Sequence, residues 1–461
     1  MEKNLKKRSI FGDVDITGGP LLSSMIIYTI PLIIANVLQF FYNAVDVMVV
    51  GNFASGSAVA AVGATTSIIN FFMNVIFGIA VGSNILISRS IGEKNDEGTK
   101  KIIGTSFILG ISVGVLGLIV GEILAVPLLR ITDCPENIID GAALYIRIYL
   151  LGMPAMGFYN YMSVVLRANG DSKRPLLYLA VSGITNVVLN LVFVIVFSMD
   201  VAGVAIATIV AQYLSAIMLF VRLTRLDGAC RLVVRDVRFN GRIMLKVIRY
   251  GIPTMVSNIA FSLANIQIAS IVNSYGDAAI AGNTASNNMQ GIFITALTSS
   301  FSVNCSTFVG ENIGAGDRKR TFRIVLLNYT ISVLAIALSS ATALIFEDFF
   351  LSLFVPQNAE AIAYGAICNK YIIGFSFLLG IMVINNQIVQ AFGYTTYQMV
   401  ASLAFLCGFR MIWLALVYPM HPTFECVMIT YPISWVLINL ALIPLVIWCV
   451  VKYIRGRDFK L

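Results

Sequence analysis

The stretch 23–53, SSMIIYTIPLIIANVLQFFYNAVDVMVVGNF, decides the class of this chain. About 20 helical residues cross roughly 30 Å of hydrocarbon, so this apolar run spans a bilayer with residues to spare. It nevertheless contains Asp46, and a carboxylate is kept inside a span chiefly where it has a function. Asn36, Gln39, Asn43 and Asp46 fall at i, i+3, i+7 and i+10, which puts four polar side chains on one face of one helix. That face looks into protein or water, not lipid. The other reading of Asp46, a rim carboxylate reaching toward the headgroups, is opposed by Val47, Met48, Val49 and Val50, which continue the apolar run beyond it. Pro31 removes one backbone hydrogen bond and marks either a bending point or a static kink.

Working outward, 58% hydrophobic residues, 12% charged residues and a mean hydropathy of +0.87 describe a polytopic, all-α membrane protein. Twelve spans are expected, at about 23–50, 57–88, 102–126, 138–160, 175–198, 201–221, 244–273, 278–309, 322–346, 361–390, 397–418 and 426–451. The start is polar through Gly19 and the first apolar run is span-length, so no cleavable signal peptide is expected. Seven cysteines, mostly within spans, fit apolar packing better than a disulfide framework, a metal site or a redox motif. Starting inside, the cytoplasmic segments hold 4 Lys/Arg at the N-terminus, then 4, 3, 8, 4 and 0 in successive loops and 4 at the C-terminus, 27 of the 31. Both termini are thus expected in the cytoplasm and the chain in the cell (inner) membrane. Topology accounts for the net charge of +8 without a nucleic-acid partner, while anionic lipid of the inner leaflet is an expected one. RANGDSKRP at 167–175 has no strand before it and lacks phosphate-loop spacing. Neither a nucleotide nor a cofactor is expected, and the energy source is an ion gradient. Nothing in the sequence demands an oligomer, so a monomer is expected.

Sliding the chain over itself by 222 residues exposes an internal repeat. Tyr28, Ile30, Pro31, Asn36 and Asn43 fall on Tyr250, Ile252, Pro253, Asn258 and Asn265. Gly92 meets Gly314, Thr99 meets Thr321, and Tyr149 and Gly152 meet Tyr371 and Gly374; Ala168 and Gly170 meet Ala391 and Gly393 with one residue added. Each repeat holds six spans, an even number, so the halves are parallel six-helix bundles related by an axis along the membrane normal. This gives an N-lobe at 1–221, a basic cytoplasmic linker at 222–243 and a C-lobe at 244–461.

The repeat is asymmetric at one point: the stripe of span one survives in span seven as Asn258 and Asn265, but Asp46 corresponds to Ile268. A cation-responsive site therefore belongs inside the N-lobe. Asn186 and Asn190, four apart on one face of span five, and Thr208 in span six reach a similar depth. Arg410, deep in span eleven, either satisfies helix-end carbonyls or shapes the cavity.

Together the span-one sequence, RSIGEKNDEG at 89–98, LRANGDSKRP at 166–175, YGIP at 250–253 and VGENIGAGDRKR at 309–320 make the chain resemble the multidrug and toxic compound extrusion (MATE) transporters over essentially its whole length. That resemblance implies a V-shaped pair of bundles around a central cavity, with ion binding in the N-lobe driving export of organic cations by alternating access. By motif, Asp46 matches the family's ion-coupling Asp, Asn186 its neighbouring polar ligand and Thr208 a nearby hydroxyl. Where several prokaryotic relatives carry a second Asp this chain has Asn190, which favours H+ over Na+ as coupling ion. A Na+ would have Asp46, Asn186, Asn190 and Thr208 as its ligands. Neutral Asn385, Asn386 and Gln387 in span ten resemble the DinF-like branch more than the NorM-like one. The expected cargo is an organic cation or zwitterion. A flippase for a lipid-linked precursor, and a channel or non-transporting sensor, are the alternative functions.

Overall fold

The computed structural model describes residues 14–53, 56–132, 134–356 and 358–456, with side chains described outside 42–60. Every regular element among them is helical. The first repeat forms α1 (Leu21–Phe53), α2 (Gly56–Gly92), α3 (Asp96–Ile131), the pair α4 (Ile139–Leu150) and α5 (Met153–Ala168), α6 (Lys173–Leu191) and α7 (Asp200–Thr224). The second begins with α8 (Gly241–Asn273), α9 (Asp277–Gln290), α10 (Ala296–Gly314), α11 (Arg318–Ile345) and a short α12 (Glu347–Phe354). It ends with α13 (Ala359–Ile372), α14 (Ser376–Ala391), α15 (Thr395–Ser402), α16 (Phe409–Leu416), α17 (Phe424–Met428) and α18 (Thr430–Ile454). Ten helices among the described residues are long and apolar enough to cross a membrane, and the pairs α4–α5 and α13–α14 bring the number to twelve.

Both pairs are bent, by 44° and 46°, which the apolar pattern at 138–160 and 361–390 did not reveal. The breaks carry Gly152 and Gly374, 222 residues apart, and Pro154 opens α5 where its missing N–H is harmless. At Gly152 a Cβ would stand 1.8 Å from Gln212 Oε1 of α7, so a larger residue there would displace the Gln212 side chain. The fourth span also runs to Ala168, past its expected end. Helix α12, EDFFLSLF, was not anticipated: it is too short to span and has Glu347 and Asp348 in its first turn, where the helix dipole favours anions.

The halves meet along α2 and α10, and the contact has the symmetry of the repeat. A Cβ on Gly92 would lie 1.9 Å from Glu311 O, and one on Gly314 would lie 2.1 Å from Arg89 O, the same pair of positions with the halves exchanged. Between them Asn84 Nδ2 donates to Ser306 Oγ at 2.7 Å, across a separation of 222 residues. The cores are exchanged as well. Met25, Tyr28 and Leu32 of α1 are buried in the core formed mainly by the second half, while Val247 and Tyr250 of α8 are buried in that of the first.

Near one end of this contact, polar groups of α1, α10 and the loop at 166–175 are bonded to one another. Asn304 Nδ2 donates to Thr29 Oγ1 at 2.6 Å and to Met25 O at 3.1 Å. Tyr28 Oη lies 3.1 Å from Arg167 O and 3.3 Å from Thr307 Oγ1, and Ser172 Oγ donates to Tyr28 O. The segment ahead of α1 is held from both halves. Val14 N donates to Gly170 O at 3.1 Å, and Arg320 Nη2 donates to Ile16 O and Gly19 O at 3.1 and 2.8 Å. Gly170 has φ +82° and faces Val14 so closely that a Cβ would meet Val14 O at 2.2 Å. Buried Asp171 pairs with Arg174 and turns the chain into α6.

The connection from α7 to α8 is packed, not slack. Leu226, Cys230 and Leu232 insert into the first core, and burial pushes the Cys230 thiol up to about 12. Asn240 caps α8 by accepting from the N–H groups of Arg242 and Ile243. All seven cysteines are free, and five are buried, as packing residues would be.

Candidate functional site

Helices α6 and α7 run antiparallel as neighbours in the first half, joined through a π-helical turn at Val192–Val196. The spacing of four puts Asn186 and Asn190 on the same side of α6, and both side chains are buried. Asn190 Nδ2 donates to Asn186 Oδ1 at 3.3 Å, Asn186 Nδ2 donates to Thr208 Oγ1 at 3.3 Å, and Thr208 Oγ1 donates to Val204 O at 2.9 Å. Three of the four ion-site residues named from sequence are therefore one hydrogen-bonded run in the interior of the first half. Amides and a hydroxyl can offer oxygen to a cation or N–H and O–H to a carboxylate, so the run can serve either protonation state of an acid. Helix α1 packs against α6. The side chains of Asn43 and Asp46 lie outside the described residues.

The remainder of the α1 stripe splits. Asn36 Nδ2 donates to Ser300 Oγ at 2.9 Å and Ala296 O at 3.4 Å, tying α1 to α10 of the other half, whereas Gln39 is exposed. Pro31 is buried inside α1, which is a single helix from Leu21 to Phe53. In the second half Asn258 is half-buried, and Asn265 accepts from Arg410 Nη1 at 3.1 Å.

Of the two readings offered by sequence for Arg410, helix-end carbonyls are not what it bonds, and its partners Asn265, Phe261 and Tyr431 stand in a cavity wall. It is fully buried, and it bonds side chains where helix-end carbonyls were one expectation: Nε donates to Ser434 Oγ at 3.0 Å, and the guanidinium stacks 4.4 Å over Tyr431 and 5.6 Å from Phe261. Phe261, Asn265, Asn287, Gln290, Tyr431 and Trp435 line a cavity of about 430 Å³ in the second half, within the size range of small-molecule sites. The spacing of α8, α9 and α18 residues around this cavity lies in three distant segments, and no local pattern could have revealed it. Arg147, by contrast, is half exposed and faces Glu122 at 3.7 Å. Asn385 and Asn439 belong to an interhelical network: Asn385 Nδ2 donates to Asn439 Oδ1 at 2.8 Å, and Tyr329 donates to Asn385. No group of three or more His, Cys, Asp or Glu that could hold a metal occurs among the described residues.

This architecture is known from other proteins. The MatE family model matches residues 31–192 and again 253–416, two stretches that begin at the repeat offset of 222. The probable multidrug resistance protein YoeA of Bacillus subtilis (strain 168) is 30% identical over 346 residues, 73% of this chain and 74% of that protein. YpnP, a probable multidrug resistance protein of the same organism, is 27% identical over 394 residues, 84% of this chain and 86% of YpnP. Among solved structures, the outward-facing conformation of a multidrug resistance MATE family transporter of the MOP superfamily superposes with a TM-score of 0.87 at 19% identity, covering 96% of this chain and 99% of the other. With two matches of the family model spanning most of its length, the chain belongs to the MatE family: it is a multi-pass MATE transporter and not an enzyme.

Proposed function

We propose that the chain is an antiporter, driven by an ion gradient and by H+ in preference to Na+, that exports organic cations or zwitterions by alternating access. Asp46 is the coupling group in this reading, with Asn186, Asn190 and Thr208 around it. Its lobes are 1–221 and 244–461, joined by the cytoplasmic linker at 222–243, and Pro31 is the bending point of α1. The buried Asn190–Asn186–Thr208 run is the observation that carries the proposal, because it supplies a neutral polar lining where the sequence places an intramembrane acid nearby. A carboxylate in a poorly solvated pocket binds a proton near neutral pH and gives it up when water enters. Sodium would want more anionic oxygen than one Asp and two amides supply. The relatives named as multidrug resistance proteins support small-molecule cargo. In this reading, with both termini cytoplasmic, the end tied together by Asn304, Tyr28 and Arg320 is the cytoplasmic one.

The test is uptake of a fluorescent organic cation into everted vesicles under an imposed pH or Na+ gradient, for wild type and Asp46→Asn. Gradient-driven uptake that disappears in a normally inserted Asp46→Asn protein is the expected result, and the effective gradient names the ion. Full retention of transport in that variant would end the proposal.

A further inference from the structure

Among the described residues, Arg410 is a buried charge without a counter-charge. Among the described residues no carboxylate forms an ion pair with Arg410, whereas Arg89 pairs with Glu93, Arg147 with Glu122 and Arg174 with Asp171. A guanidinium stays protonated in proteins and carries five N–H donors. Here Nε and Nη1 are used by Ser434 and Asn265, while Nη2 is buried with no acceptor. A second orphan donor stands one residue beyond Ser434: Trp435 is 2% exposed, lines the 430 Å³ cavity, and its Nε1 is also buried without an acceptor. Four residues around the guanidinium or its partners, Phe261, Asn265, Tyr431 and Trp435, are cavity walls, so the charge lies directly behind the wall of the cavity, one side-chain layer from its interior. A purely structural tie between α8, α16 and α18 would need no charge. Burying an uncompensated cation costs more than two hydrogen bonds to neutral side chains return.

The repeat gives this site a counterpart. Asn265 occupies the place of Asn43, and with the offset of 223 that holds after Ala168, Arg410 falls on Val187, next to Asn186. The first half thus has an acid on its opening helix and amides on its fifth span, and the second half has a cation on the corresponding span. The polarity of the two halves is opposite.

We propose that the second-half cavity seats a carboxylate of the cargo, received by Arg410 Nη2 and Trp435 Nε1, so that the preferred cargo is an amphipathic zwitterion instead of a simple cation. The aromatic walls hold the body of the molecule, and Asn287 and Gln290 face its polar edge. In calling the ligand cargo, this rests on the export reading above; the binding it describes does not depend on any gradient.

The experiment compares rhodamine 110, which has a free carboxylate, with rhodamine 123, its methyl ester, by fluorescence anisotropy on the purified full-length protein. A charge-assisted hydrogen bond to a buried guanidinium predicts that the acid binds about ten-fold or more tightly than the ester. Arg410→Gln, checked for folding by its elution profile and Tm, is expected to erase that preference. If Arg410→Gln does not fold, Trp435→Phe keeps an aromatic wall, removes one donor and is expected to cut the preference for acid over ester about five-fold. Equal binding of acid and ester by the wild type overturns the proposal with no variant needed, as does an acid preference that survives in folded Arg410→Gln. Absence of gradient-driven uptake would overturn antiport while leaving this preference measurable, so the two failures are distinguishable.

Discussion

Asn304→Leu should open the sealed end of the molecule without unfolding it. Asn304 Nδ2 makes two bonds to α1, to Thr29 Oγ1 at 2.6 Å and to Met25 O at 3.1 Å, and both join α10 to the helix that opens the other half of the repeat. Each is worth roughly 0.5–1.5 kcal/mol net, so the closed arrangement loses about 1–3 kcal/mol. The fold itself loses little. Thr29 Oγ1 still donates to Met25 O at 2.7 Å, and the substitution also removes Asn304 Oδ1, a buried acceptor with no partner among the described residues. Leucine branches at the same carbon as asparagine, and its extra bulk enters a cavity of about 110 Å³ lined by Met25, Ile30, Phe301 and Asn304 itself. If the seal must part during transport, a loss of 1–3 kcal/mol in the closed state multiplies the open population by about 5 to 150. Cys305, fully buried beside Asn304, is the reporter. In a protein whose other cysteines are replaced, an impermeant maleimide should label Cys305 about 5 to 150 times faster in the Asn304→Leu background, at nearly unchanged Tm. An unchanged labelling rate would refute the reasoning, and faster labelling with a collapsed Tm would show unfolding in place of opening.

Two further outcomes follow from the fold. Gly314→Val places a Cβ about 2 Å from Arg89 O, so α2 and α10 must part; we expect a fall in Tm reflecting about 1–3 kcal/mol or more, and a matching fall for Gly92→Val because Glu311 O blocks it in the same way. A wild-type Tm in either variant would contradict the axis drawn here. Glu347, at the start of α12, has its carboxyl held above the ordinary value of 4.5 by burial, opposed by a hydrogen bond with Asn369. The folded protein then binds more protons than the unfolded one just above pH 4.5, so stability should fall as pH rises through that window, and Glu347→Gln should flatten the slope of Tm against pH.

What sequence made legible was the periodic part of the molecule. Span positions follow from apolar runs, and the repeat predicted by Tyr28 and Tyr250, Gly152 and Gly374, and Gly92 and Gly314 reappears as exchanged core residues, paired helix breaks and a reciprocal crossing. The Asn186–Asn190 face was legible because a spacing of four is local, and Thr208 joins it across a short turn. Three things were not legible. The bends at 151–152 and 373–375 interrupt spans without interrupting hydrophobicity. The destination of Asn36, which turns to Ser300 in the other half, depends on a helix 260 positions away in sequence. The surroundings of Arg410 come from α8, α16 and α18, whose register no single segment encodes.

The exchange of first helices explains how events in one half reach the other. Helix α1 is rooted in the second-half core by Met25, Tyr28 and Leu32, tied again to α10 by Asn36, and packed along α6. From Tyr28 to the position of Asp46 is 18 residues, roughly 27 Å of one helix at 1.5 Å per residue. Helix α8 mirrors it, rooted in the first-half core by Val247 and Tyr250 and bonded through Asn265 to Arg410. A tilt of α1 would therefore act on the second-half core and a tilt of α8 on the first, through the residues that each helix places in the other half. Under the proposed function, protonation acts through α1 and cargo through α8, so either ligand biases the same closure. Affinity for the carboxylate-bearing dye should then depend on pH in the wild type and lose that dependence in Asp46→Asn, since coupling of two sites through one equilibrium is reciprocal. A pH dependence that persists unchanged in Asp46→Asn would separate the two helices mechanically and defeat this account of how they communicate.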